Sequence, residues 1–153
     1  MNDSERKEEA MKKAFRYLKY RERSKYEVEK KLLNEGFEKD IVENIIEELL
    51  EKNIVNDKRF TRMYVEDSLN IKQKGPYRID KELRKFGIED HLITDTLKEF
   101  QNQFLETLRS IVENYTTHRV FDKRELLKLK KRLYRKGFYI EDIEREFKRQ
   151  ELE

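Results

Sequence analysis

Three glycines, Gly36, Gly87 and Gly137, each stand four residues after a leucine (Leu32, Leu83, Leu133) and directly before a large apolar residue (Phe37, Ile88, Phe138). Further apolar residues follow six and ten positions beyond each glycine: Val42 and Ile46, Ile93 and Leu97, Ile143 and Phe147. The glycines lie 51 and 50 residues apart, so the pattern is a tandem repeat. Locally it reads as a helix that turns a leucine inward, stops at a glycine able to enter the left-handed conformation, and restarts beyond an acidic corner. Units of this length are near the lower limit for independent stability, so neighbours are expected to lean on one another.

Charged residues make up 45% of the 153-residue chain, with only four glycines and one proline. Such a chain is poor in turns and rich in helix formers. Apolar residues recur at helical spacing through most of it, which sets it apart from a disordered polyelectrolyte. We therefore expect an all-α fold of about nine helices. They should form three tandem three-helix repeats, over residues 1–55, 56–100 and 101–153, in an elongated, curved array.

From Ser4 to about Tyr20, Ala10, Met11, Ala14, Phe15 and Leu18 keep to one helical face. Ser24 with Glu27 three residues on is a capping box that starts the second helix. The third, from about Lys39 to Lys52, should bury Val42, Ile45, Ile46 and Leu49 beneath an acidic outer face. Between Glu35 and Asp57 eight acidic residues face only Lys39 and Lys52, a local net of −6. Asn56 or Asp57 should cap the next helix. Lys72-Gln73-Lys74-Gly75-Pro76 then forms a flexible basic corner, with the proline suited to a first helical turn. Gly75 lies twelve residues before Gly87, as Ser24 does before Gly36, so the second helices start in register by different devices. Leu92, Thr96, Leu97, Phe100, Phe104, Leu108, Ile111 and Tyr115 continue without Gly or Pro, favouring one long helix between units two and three over a kink near 101–103. A second capping box, Asp122 with Glu125, should open a helix about a turn longer than its counterparts.

Catalytic chemistry finds little support. His91 and His118 are 27 residues apart and outside any metal-binding spacing. No glycine-rich phosphate loop is present, and Glu43 with Glu47 reads as a solvated i,i+4 face rather than an acid/base pair. No enzyme activity and no cofactor are expected. With no cysteine there is no disulfide framework, and the charged first twenty residues match neither a signal peptide nor a membrane span. A cytoplasmic protein is the expectation.

The formal net charge is only +3, so attraction to a polyanion must come from local clustering. From Arg119 to Lys136 nine basic residues face Asp122 and Glu125, a local net of +7. At 100° per residue Arg124, Lys128, Lys131 and Arg135 form one stripe opposite Leu126, Leu129 and Leu133, with Arg132 beside it. Unit two carries Lys72, Lys74, Arg78, Lys81, Arg84 and Lys85. A phosphate backbone or an acidic protein groove needs basic residues gathered on one side, and these eleven are the candidate partner or DNA contacts. Phe15, Phe60, Tyr64, Phe100 and Phe104 read as core; Tyr77 and Tyr139, near basic helices, remain open to stacking.

These motifs resemble the RecX regulatory proteins of bacteria. The resemblance rests on Tyr17-Leu18, Arg21-Glu22-Arg23-Ser24, Glu27, Lys31-Leu32 and Gly36-Phe37 in unit one. In unit two it rests on Asn56-Asp57-Lys58-Arg59-Phe60, Tyr64-Val65, Lys74-Gly75-Pro76, Ile79, Glu82-Leu83 and Gly87-Ile88. Thr61 stands where the family usually has alanine, and the third unit keeps mainly the helix-glycine-helix frame. The resemblance implies a non-enzymatic modulator that binds the RecA filament on single-stranded DNA, lying in its helical groove. It implies inhibition of ATPase, strand-exchange and coprotease activities, in recombination, repair and the SOS response. A helical protein that binds nucleic acid independently of RecA is the alternative.

Overall fold

The computed structural model describes residues 2–117 and 119–152, so His118 lies outside the described residues. Among these there are nine helices: α1 (Asp3–Leu18), α2 (Lys25–Asn34), α3 (Lys39–Glu51), α4 (Asp57–Asn70), α5 (Pro76–Lys85), α6 (Asp90–Glu99), α7 (Gln101–Thr116), α8 (Lys123–Lys136) and α9 (Ile140–Arg149). They pack in threes, α1–α3, α4–α6 and α7–α9.

The recurring leucine and apolar residue have one cause. The N–H groups of Phe37, Ile88 and Phe138 donate to the carbonyls of Leu32, Leu83 and Leu133 at 3.3, 3.3 and 3.2 Å. Each glycine N–H donates to the carbonyl three residues back, at 3.0 Å in every case. This is a Schellman ending, which needs a positive φ at the glycine and brings the residue after it against the leucine. The glycines take φ of 93, 73 and 105°, and all three leucines are fully buried.

The core falls into three clusters. The first gathers Ala10, Ala14, Val28, Leu32 and the inner face of α3, which includes Ile41 as well as the four expected residues. The second is built on Phe60, Val65, Ile79, Leu83, Ile93, Phe100 and Phe104, and the third on Leu108, Val112, Leu129, Leu133, Ile143 and Phe147. Phe60 and Phe86 meet edge to face at 5.3 Å. Thr61 is fully buried, and its hydroxyl donates to the Asp57 carbonyl at 2.7 Å, so its polar atom is satisfied.

Three expectations are corrected. The long helix between units two and three is broken at Phe100 (φ −95°, ψ 7°), just before the stretch considered for a kink. Phe100 and Phe104 both enter the second core while Leu108 and Val112, on the same α7, enter the third. Phe15 is 46% exposed rather than core, because Ala10 and Ala14 bring α1 so close to its neighbours that the phenylalanine lies to one side. The corner at Gly75 is not flexible but buried, packed against Gly137.

That corner is a joint between units. The Gly75 N–H donates to the Lys136 carbonyl at 2.7 Å and the Tyr77 N–H to the Gly137 carbonyl at 3.0 Å. The first turn of α5, which has no side-chain cap, thus receives its partners from the end of α8. A Cβ on Gly75 would lie 2.3 Å from the Gly137 carbonyl carbon. The first joint follows the same plan: Ser24 Oγ donates to the Phe86 carbonyl at 2.7 Å, and Tyr26 covers Gly87. Helices α2 and α5 therefore each start on the glycine corner that ends the second helix of the next unit, bringing a helix N-terminus to a helix C-terminus. Asp57, accepting from Lys25 N–H, and Arg59, paired with Glu22 at 2.8 Å, reinforce the first joint.

Candidate partner-binding surface

Helix α8 starts on Asp122, whose side chain accepts from Glu125 N–H at 2.8 Å, and runs 14 residues against 10 in α2 and α5. Leu129 and Leu133 point into the third core and Leu126 packs at its edge. The 3.6-residue period then fixes where the cations go. Arg124, Lys128, Lys131, Arg132 and Arg135 are all exposed, and none has a carboxylate partner among the described residues. Arg135 donates weakly to the Lys131 carbonyl at 3.4 Å.

At the joint with α5, Arg78, Lys128, Arg132, Arg135 and Lys136 line a shallow, open depression with no acidic residue in its wall. Burial, and then repulsion from Arg132 and Arg78, holds the Lys136 ammonium below the usual lysine range. Arg78 is shared with Glu82, whereas Lys128, Arg132 and Arg135 bring positive charge with no carboxylate partner among the described residues.

Unit two is arranged differently. Lys74 is only 7% exposed, and its ammonium donates to both oxygens of Glu82, at 2.8 and 3.0 Å. Arg78 also reaches Glu82, at 3.4 Å. Arg84 is held by Asp80 at 2.7 Å and by Asp90, and these carboxylates raise its already high pKa. Lys81 lies 4.6 Å from the centre of the Tyr77 ring, and a hydrogen bond with that tyrosine raises its pKa. Lys72 and Lys85 are exposed and unpaired among the described residues. Of the eleven cations expected to meet a partner, the structure gathers Arg78, Lys128, Arg132 and Arg135 at one depression. Lys74 is turned inward as an internal ion pair.

Tyr77 and Tyr139 meet edge to face at 6.2 Å beside this junction, each 41% exposed. Lys136, missing from the candidates because it closes a helix on its inner side, completes the depression; only the contact with α5 reveals it. Elsewhere, His91 is exposed beside Glu89. No cluster of three or more His, Cys, Asp or Glu among the described residues could hold a metal ion. Among the described residues no helix is long and apolar enough to cross a membrane.

Two family models match the chain: "RecX, first three-helix domain" over residues 10–49 and "RecX, second three-helix domain" over residues 56–97, together more than half of it. A protein described as regulatory protein RecX from Bacillus cytotoxicus is 32% identical over 140 residues, covering 88% of this chain and 51% of its own length. One of the same description from a Geobacillus species is 34% identical over 137 residues, covering 86% and 50%. The chain thus spans about half the length of the curated relatives it matches. The crystal structure of RecX from Lactobacillus salivarius superposes with a TM-score of 0.85 at 27% identity, covering 98% of this chain and 99% of that one. A second crystal structure of regulatory protein RecX gives 0.77 at 25% identity, over 93% and 71%.

Proposed function

Starting from the fact that this chain belongs to the RecX family of regulatory proteins, we propose that it binds the RecA filament on single-stranded DNA and inhibits it. The affected activities would be ATP hydrolysis, strand exchange and coprotease function, in cytoplasmic recombination and DNA repair. The observation that carries this reading is the cationic surface at the α5–α8 joint, where Lys128, Arg132 and Arg135 have no carboxylate partner among the described residues, set in a scaffold of regulatory proteins. A filament groove lined by DNA phosphates and acidic protein side chains offers such a surface what it lacks. The residues act by binding, with no bond made or broken.

The test is single-strand-dependent ATP hydrolysis by the cognate RecA with and without this protein. Inhibition that is weakened by Lys128→Glu with Arg135→Glu supports the reading; unchanged hydrolysis at stoichiometric excess removes it.

A second reading, nucleic-acid binding that does not involve RecA, draws on the same five cations. Tight, steeply salt-dependent binding to single strands with no effect on RecA would favour it.

A further inference from the structure

Two helix faces at opposite ends of the molecule carry charge that the chain leaves unpaired. On α3, Asp40, Glu43, Glu47 and Glu51 form one stripe, all exposed and none in an ion pair among the described residues. It lies opposite the buried face made by Ile41, Val42, Ile45, Ile46 and Leu49. On α8, Arg124, Lys128, Lys131 and Arg135 form the cationic counterpart, opposite Leu129 and Leu133.

Other charges of the chain do find partners within it. Glu48 takes Lys52, Glu35 takes Lys13 and Lys31, Arg62 takes Glu66 and Glu99, and Arg149 takes Glu113 and Glu146. The two stripes also match in length. Each runs eleven residue steps from first to last charge, about 16 Å at the helical rise, with charges three or four residues apart. Each is flanked by exposed apolar side chains: Leu50 (40%) on α3, Leu127 (52%) and Tyr134 (54%) on α8. Helices α3 and α8 belong to different units with different cores, so the stripes are not packed on one another within a molecule.

We infer that the α3 stripe of one copy docks on the α8 stripe of a second copy, joining the chains head to tail. The occupant is identified by charge: four carboxylates on one stripe and four cations on the other, each series stepping by three or four residues and none of the eight in an ion pair among the described residues. Such a contact is heterologous, because it pairs two different surfaces, and an open chain of copies keeps one stripe of each sign free at its ends and grows by addition. Being made of exposed charges, it is weak and strongly dependent on salt.

Sedimentation velocity of the full chain, freed of nucleic acid, tests the inference at about 25 mM and about 500 mM salt. The weight-average sedimentation coefficient should rise with protein concentration at low salt, and the association should weaken by about tenfold or more at high salt. Glu43→Lys with Glu47→Lys removes one stripe, and Lys128→Glu with Lys131→Glu the other. Each variant alone should sediment as a monomer with an unchanged circular dichroism spectrum, since all four positions are solvent-facing. Mixed, the two should associate again, because one chain keeps its cations and the other its carboxylates. A wild-type chain that stays monomeric at low salt overturns the proposal. So does a reversed variant that self-associates as strongly as the wild type, or a mixture that stays monomeric. The assay holds neither recombinase nor nucleic acid, so its failure leaves the reading of function above untouched.

Discussion

The main-chain N–H of Gly75 donates to the carbonyl of Lys136 at 2.7 Å, across 61 residues of sequence. The equivalent residue of unit one, Ser24, uses its hydroxyl for the equivalent carbonyl of Phe86 at the same distance. One joint geometry is thus met by two chemistries, a bare backbone in one place and a serine side chain in the other.

Substitution of the glycines should separate conformational strain from crowding. Gly36→Ala meets nothing within 4 Å and suffers only the positive φ, an expected loss of about 1 kcal/mol. Gly137→Ala adds a Cβ 2.4 Å from that of Arg78, and Gly75→Ala one at 2.3 Å from backbone, so crowding should add about 1–3 kcal/mol. Urea denaturation gives the ranking. Hydrogen exchange should show the Tyr77 amide losing protection in Gly75→Ala and Gly137→Ala but keeping it in Gly36→Ala.

Lys74 should behave as a structural residue. Replacing it by Met leaves the Glu82 carboxylate half-buried without its main cation, at an expected cost of about 2–4 kcal/mol. Lys72→Met and Lys85→Met, at exposed unpaired positions, should leave the thermal midpoint unchanged. Equal effects at all three positions would contradict the buried pairing.

Acid should weaken the same cluster. Burial would raise the Glu82 carboxyl, but hydrogen bonds from Lys74 and Tyr64 outweigh it and hold the group below the usual carboxylate range. A depressed folded-state pKa contributes stability above the unfolded value, about 4.5, and that contribution fades as pH falls through the folded value. Stability of the wild type should drop below about pH 4.5 more steeply than that of Glu82→Gln. Denaturant midpoints measured against pH provide the comparison.

Alkali offers a cleaner signal. Burial, aided by its bond to Glu82, pushes the Tyr64 phenol up to about 12. A raised folded-state pKa contributes stability below the unfolded value, near 10, that is lost as pH climbs towards 12. Burial raises Tyr139 as well, so phenolate absorbance of the folded chain should include late-titrating components among the eight tyrosines, and Tyr64→Phe should remove the one at about 12. Its persistence in the variant would assign it elsewhere.

Charge removal should divide the eleven basic candidates by their pairing. If Lys128, Arg132 and Arg135 each meet a phosphate, replacing all three by Ala flattens the dependence of log K on log salt for single strands by about 2. Arg84→Gln, at a residue already held by Asp80 and Asp90, should leave the slope unchanged. Fluorescence anisotropy with a labelled oligonucleotide measures both.

The frame of the fold was legible because its signals are local. Leu32 to Phe37 and its two repeats encode a helix ending within six residues, and the caps at Ser24, Asn56 and Asp122 act over three. The break at Phe100 was not, since it follows from which core each face of α7 enters, and no glycine or proline marks it. The surface divides in the same way. Arg78 with Glu82 and Arg84 with Asp80 stand four apart and could have been read as pairs; Lys74 with Glu82 needs the turn at Gly75-Pro76 to bring them together. Many residues that carry the family resemblance, among them Ser24, Asp57, Arg59 and Gly75, sit at the joints. The sequence pattern is thus informative about how units connect, while the unpaired charge of α8 emerges only after the paired residues have been set aside.

The separation of the cores has a mechanical consequence. No buried residue of the first cluster belongs to the second, so the Ser24–Phe86 joint is held by polar contacts and by Tyr26 packed on Gly87 rather than by a shared apolar core. Phe104, carried on α7 yet seated in the second cluster, ties units two and three more firmly. The two joints thus differ in kind, one fastened mainly by polar contacts and the other also by a side chain seated in its neighbour's core.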